Sequence, residues 1–141
     1  MSDQLNLEVV TPHRTVLLEE VDSVTLPGIE GELGILPEHI PLLTTLDTGI
    51  VSYSSSGKTQ AIAVHWGYAQ VEGNSVSVLA ELAETAAEID LQRAKDAETK
   101  AKENLVSGTP ATDWKAEESR QNKYESKLKR SIVRQTVAQS H

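Results

Sequence analysis

Gly49-Ile50-Val51-Ser52-Tyr53-Ser54-Ser55-Ser56-Gly57, then the apolar stretch Thr59 to Val71, the turn Gly73-Asn74 and Val76-Ser77-Val78-Leu79 decide the fold class. Short Val-rich runs separated by Gly, Ser and Asn clusters are strands joined by tight turns. Working toward the N-terminus, Leu5-Asn6-Leu7-Glu8-Val9 alternates with period two, the mark of a half-buried strand. Val16-Leu17-Leu18 and Val21-Asp22-Ser23-Val24-Thr25-Leu26 follow the turn Thr11-Pro12-His13-Arg14. No helix-length periodic segment interrupts these runs, which argues against a parallel βαβ sheet. The expectation is an antiparallel sandwich or barrel over residues 1–86.

Toward the C-terminus the period changes, and residues 87–141 read as a helical hairpin. Asp90 suits an N-cap, since its carboxylate can accept a free first-turn amide. Leu91, Ala94, Ala97, Ala101 and Leu105 then recur at steps of three and four, giving one narrow apolar stripe. Asp96 with Lys100 and Glu98 with Lys102 are spaced for i,i+4 ion pairs. Ser107-Gly108-Thr109-Pro110 stops the helix. Asp113 caps a second helix running to about Gln139, with Tyr124, Leu128 and Ile132 as its apolar line. Such a hairpin buries little, and isolated helices of this length are marginal in water, so it must dock on the sandwich or on a partner.

The charge splits along the same boundary. Residues 1–90 hold fourteen Asp/Glu against two Lys/Arg, while residues 91–141 hold seven against eleven. Two units with different partners are implied, and duplex nucleic acid is not among them, because the larger unit repels phosphates. With no Phe, two Trp and three Tyr, the core is aliphatic. The absence of Cys excludes disulfides, thiolate metal sites and Cys nucleophiles. Met1-Ser2-Asp3-Gln4 lacks the basic start and apolar run of a signal peptide. The longest nearly apolar stretch, Ala61 to Ala69, contains His65 and is far short of the ~20 residues of a spanning helix. Any contact with a membrane is therefore expected to run through a partner.

No catalytic constellation emerges. Gly57-Lys58-Thr59 lacks the upstream Gly of a phosphate loop and sits in a hairpin turn. The four His have no ligand spacing, which argues against a metal site, and no GxSxG elbow is present. Gly28, Gly31 and Gly34 fit an irregular loop, with positive φ at some of them, that presents Glu30 and Glu32. Arg120, Lys123, Lys127, Arg130 and Arg134 are spaced 3, 4, 3, 4 and so share one helix face. Five like charges in line repel, and we read them as a binding face for an acidic partner or a polyphosphate.

These residues carry a family resemblance. Leu7-Glu8-Val9-Val10-Thr11-Pro12, the run from Pro27 through Gly31-Glu32-Leu33-Gly34-Ile35-Leu36-Pro37 to His39 and Pro41-Leu42-Leu43-Thr44, and Trp66-Gly67-Tyr68-Ala69-Gln70-Val71 resemble the epsilon-subunit family of F-type ATP synthases. The resemblance covers essentially the whole chain. It implies a ten-stranded N-terminal antiparallel β-sandwich and a C-terminal antiparallel two-helix hairpin. It implies a non-catalytic subunit of the central stalk, bound to the gamma subunit and standing on the ring of c subunits. The loop with Glu30 and Glu32 would face that ring, and His39 would lie where the stalk is met. The hairpin would be mobile. Extended toward the alpha and beta subunits it would restrain ATP hydrolysis, with Arg120, Lys123, Lys127, Arg130 and Arg134 meeting an acidic segment of beta.

The family's nucleotide-sensing motif appears as Ile89-Asp90-Leu91-Gln92-Arg93-Ala94, with Arg130 and Arg134 in the region that completes the site. ATP is then a regulatory ligand and no cofactor is required. The alternative is that Asp90 only caps the helix and Arg93 pairs with it locally. The resemblance places the protein on the cytoplasmic face of a bacterial inner membrane, with a plastid thylakoid as the other setting. A stand-alone ATP-sensing module is the competing function. The chain departs from the family at His65, where a small residue is usual, at Trp66-Gly67 for Gly-Gly, at Glu38 for Gly and at Ile40 for Ala.

Overall fold

The computed structural model describes residues 4–38, 41–107 and 113–139. Eight strands precede two helices: β1 (Leu5–Val10), β2 (Thr15–Val21), β3 (Ser23–Gly28), β4 (Gly31–Ile35), β5 (Leu42–Leu46), β6 (Gly49–Ser55), β7 (Lys58–Glu72) and β8 (Ser75–Thr85). A 3₁₀ turn at Ala86–Glu88 leads into α1 (Leu91–Ser107), and α2 (Trp114–Gln139) closes the chain. No described helix is long and apolar enough to cross a membrane.

The sandwich has eight strands, not the expected ten, because β7 and β8 each serve both layers. The first half of β7 pairs with β6 and its second half with β5, while β8 runs alongside throughout. One layer is therefore β4-β3-β6-β7-β8 and the other β5-β7-β8-β1-β2. Cutting the two long strands where they cross between layers would restore the count of ten. The sheet is also not wholly antiparallel. β1 runs parallel to β8, pairing Asn6 with Ser75 through Val10 with Leu79. Parallel neighbours need a long crossover, and here the whole of β2 to β7 supplies it.

The crossing sits at Trp66-Gly67. Gly67 has φ +152, and a Cβ there would lie 2.0 Å from the Leu79 carbonyl oxygen and 2.8 Å from the Ala80 Cα. Only Gly lets β7 pass this close to β8. Trp66 takes φ 63 and leaves its indole 66% exposed. The core between the layers is aliphatic, with Leu5, Leu7, Val9, Leu26, Ile62, Val64, Val76 and Val78 fully enclosed. Period-two burial along β1 follows the predicted alternation.

The glycine-rich stretch is not an irregular loop. Gly31–Ile35 forms β4 against β3, and only Ile29-Glu30 make the turn between them. Of its three glycines, Gly31 alone has a positive φ, +134.

The caps fall where the sequence puts them. Asp90 Oδ1 accepts the Arg93 amide at 3.1 Å, and Asp113 Oδ1 accepts the Ala116 amide at 2.8 Å. Ala94 and Ala101 are the buried positions of α1. On α2 the apolar line is rotated from the expected Tyr124, Leu128 and Ile132. The buried residues are Ser131 and Val137, and Ile132 is exposed. Glu98 pairs with Lys102 at 2.9 Å as expected, whereas Asp96 accepts from Gln92. The predicted interhelical turn falls mainly on residues 108–112, outside the described residues, as do His39 and Ile40.

Candidate regulatory site

The hairpin lies down on the sandwich, with α2 against β6, β7 and β8. Charged clasps join it to the strands. Arg134 Nε donates to Glu84 Oε1 at 2.7 Å, joining α2 to β8. The same oxygen lies 3.2 Å from His65 Nε2 on β7. Lys129 Nζ donates to Asp47 Oδ2 at 2.5 Å, joining α2 to the β5–β6 turn. Within the hairpin, Gln135 donates to Glu98 at 2.6 Å.

Burial raises the Glu84 carboxyl, but the hydrogen bonds from His65 and Arg134 outweigh it and hold the group below the ordinary carboxylate value. The Lys129 hydrogen bond lowers Asp47 in the same way. Glu88 is lowered too, first by the Thr85 amide, with Arg14 adding to it. Its Arg14 pair ties the 3₁₀ turn to the start of β2.

Five of the six nucleotide-motif candidates surround one cleft. Ile89, Asp90, Arg93, Ala94 and Arg134 line a hollow of about 350 Å³ together with Glu84 and Glu88. Asp90 sits there because it caps α1. Arg93 projects from the first turn, exposed and without a side-chain hydrogen bond or ion pair among the described residues. The local Asp90–Arg93 side-chain pairing considered from the sequence is absent, and the contact is from the Arg93 backbone amide. Arg130 lines a neighbouring cleft of about 420 Å³ that shares Arg134.

The basic stripe is not an open face in this position. Arg120 is held by Glu117 and by the Asn104 carbonyl at 2.6 Å, Arg134 by Glu84, and Arg130 is half-buried. Lys123 and Lys127 alone of the five are exposed, flanking the Tyr124 ring at 5.7 and 5.5 Å. Glu30 and Glu32 are exposed at the β3–β4 end.

Sequence reasoning missed an apolar groove of about 700 Å³ lined by Ile29, Leu46, Trp66, Tyr68 and Leu79. Trp66, Tyr68 and Leu79 lie largely exposed beside it. The signal was present in β7, where both alternating phases carry apolar residues, as in a strand covered on both faces. Asp47, His65 and Glu84 were also missed as docking partners, and no local signal marks contacts 50 and 82 residues apart.

Comparison with known proteins fits this architecture. The sequence profile of the ATP synthase delta/epsilon chain β-sandwich domain matches residues 4–86. An ATP synthase epsilon chain of Geotalea uraniireducens is 45% identical over 98% of this chain and 96% of its own. The chain belongs to the ATP synthase epsilon-chain family. It is thus a subunit of that complex and not a free-standing enzyme. A family relative from Carboxydothermus hydrogenoformans is 53% identical over 78% of this chain and 82% of its own. In fold, the chain resembles one in a solved Euglena gracilis mitochondrial ATP synthase assembly of OSCP, F1 and c-ring, with TM-score 0.78 and 24% identity over 100% of this chain and 84% of that one.

Proposed function

We propose that this epsilon-family chain is the coupling and restraining subunit of the central stalk of an F-type ATP synthase, on the cytoplasmic face of a bacterial inner membrane. The apolar groove around Trp66, Tyr68 and Leu79 seats the gamma subunit. Glu30 and Glu32, exposed at the β3–β4 end, meet the c ring, with His39 near the stalk. The hairpin moves between the docked position and an extended one in which its cations reach an acidic segment of the catalytic subunits.

One observation carries the regulatory part: the motif residues at the start of α1 and Arg134 of α2 line one cleft, and Glu84 of β8 completes its wall in the docked position. A ligand held between Asp90-Arg93 on one side and Arg134 on the other stabilises the paired helices over any position in which α1 and α2 separate. ATP is the ligand that the arginines fit. Glu84 and Glu88 stand in the same cleft, so each phosphate must be met by Arg93 and Arg134 rather than by a uniformly positive wall.

Isothermal titration of the isolated chain with ATP tests this, with Arg93→Ala as control. Heat that disappears in Arg93→Ala supports a nucleotide-gated hairpin. Absence of binding at millimolar ATP leaves Asp90 as a cap and the hairpin under its protein partners alone. The same titration on the whole complex separates this reading from a stand-alone nucleotide sensor, which would gain nothing from assembly.

A further inference from the structure

β4 ends its layer and pairs with β3 alone, so its other edge has no neighbouring strand among the described residues. One proline shows which groups that edge turns outward. In an antiparallel ladder, hydrogen-bonded pairs alternate with pairs whose main-chain groups point away from each other. Pro27 has no N–H, and its carbonyl accepts the Asp47 amide at 2.9 Å, away from β4. Pro27 opposite Glu32 is therefore a pair of the second kind, and so is Thr25 opposite Gly34. The amides and carbonyls of Glu32 and Gly34 thus stand unpaired along the open edge.

Gly34 is an independent sign. Every other described glycine is crowded by a neighbour or takes a positive φ. Gly34 does neither, and a Cβ there would meet nothing within 4 Å. The β3–β4 register runs without a shift, so Gly34 does not serve a bulge. Glycine inside a strand weakens it, and its remaining use is to let another backbone approach closely.

We propose that the open edge of β4 takes up, as an added strand, an extended basic segment of a neighbouring subunit of the complex. Such additions draw affinity from main-chain hydrogen bonds and specificity from the flanking side chains. β4 carries no proline, bulge or inward-pointing charge, devices that keep an unused edge unpaired. Its one charge selects the partner. Glu30 and Glu32 are exposed beside the edge and in no ion pair among the described residues. A Lys or Arg of the incoming strand opposite Glu32 meets that charge. A second copy of this chain does not fit, because residues 1–90 hold fourteen Asp/Glu against two Lys/Arg and would repel their like. The pairing stands on main-chain geometry; only the choice of the c ring as the neighbour rests on the placement proposed above.

Amide exchange read residue by residue tests this in the free chain, in the assembled complex, and with the isolated c ring in detergent as probe. In the free chain Glu32 and Gly34 should exchange near their intrinsic rates, while Leu33 and Ile35 are slowed by β3. In the complex the two edge amides should slow by at least about tenfold. Gly34→Pro supplies a second arm. Proline is tolerated where the N–H faces solvent, and Leu33 before it is already extended, so the free chain should keep its fold, checked by exchange along β7 and β8. It should rebind a complex depleted of this subunit at least about tenfold more weakly than wild type. Edge amides as fast in the complex as in the free chain overturn the proposal. Slowing with unchanged rebinding of a folded Gly34→Pro also overturns it, since covering alone would then explain the protection. Slowing in the free chain that grows with its concentration identifies a second copy and overturns the basic partner. Slowing with the c ring alone supports both the pairing and the c-ring placement. Slowing in the complex but not with the c ring supports the pairing and removes that placement. Weaker rebinding of Glu32→Gln with fast edge amides keeps the placement and removes the pairing.

Discussion

Two residues, Glu38 at φ 65 and Trp66 at φ 63, hold the left-handed backbone that glycine takes at no steric cost. Both positions demand a conformation that costs a side-chain-bearing residue about 1–2 kcal/mol. This chain therefore stores strain at both positions, and at Trp66 it places an exposed indole between the apolar groove and the cleft that Arg130 lines. Trp66→Gly should stabilise the isolated protein by about 0.5–1 kcal/mol, the relief being partly offset by the entropy of a free glycine. Urea denaturation measures it, and a clear loss of stability would mean that the indole contributes packing its exposure does not suggest. The next residue has the opposite sensitivity. Gly67→Ala drives a methyl into the Leu79–Ala80 backbone, which cannot move without breaking the β7–β8 ladder. A loss of about 3 kcal/mol is expected in the same assay.

At the scale of elements, the docked hairpin depends on carboxylates whose pKa values lie below their ordinary 4.5 for Glu84 and 3.8 for Asp47. A carboxyl lowered in the docked form contributes fully above its ordinary value and loses that contribution as pH falls through the lowered one. Amide exchange along α2, corrected for intrinsic rates, should therefore lose protection below about pH 4 while β7 and β8 keep theirs. If α2 and β7 lose protection together, the clasps do not govern docking. What could be read from the sequence divides along the same physical line. Period-two alternation in β1 and the caps at Asp90 and Asp113 are local, and they appear as predicted. β4 was hidden because its glycines give no side-chain alternation to read. The buried face of α2 was mis-phased because large apolar residues suggested Tyr124, Leu128 and Ile132, whereas the buried residues are the smaller Ser131 and Val137. The stretch Ile89 to Ala94 was read as a string, but the cleft beside it also needs Arg134 from α2 and Glu84 from β8, which lie far apart in sequence.

Across the whole molecule, an acidic sandwich and a basic hairpin attract each other, so the cations proposed to grip the catalytic subunits are partly spent on docking. This division yields a prediction of opposite signs. Lys123 and Lys127 are exposed in the docked position, and Lys123→Ala with Lys127→Ala leaves the Arg134 and Lys129 clasps untouched. The change should weaken only the extended contact and relieve restraint of ATP hydrolysis in the reconstituted complex. Glu84→Gln removes the carboxylate that holds Arg134 and keeps a side chain of the same shape. The docked position then loses on the order of 1 kcal/mol, which shifts the balance toward the extended position about fivefold and deepens the restraint. Steady-state hydrolysis by the reconstituted complex measures both, and added salt should move wild type toward the Glu84→Gln behaviour by screening the clasps, provided the extended contact is screened less. Changes of the same sign in the two variants would be incompatible with a hairpin that divides its cations between two positions.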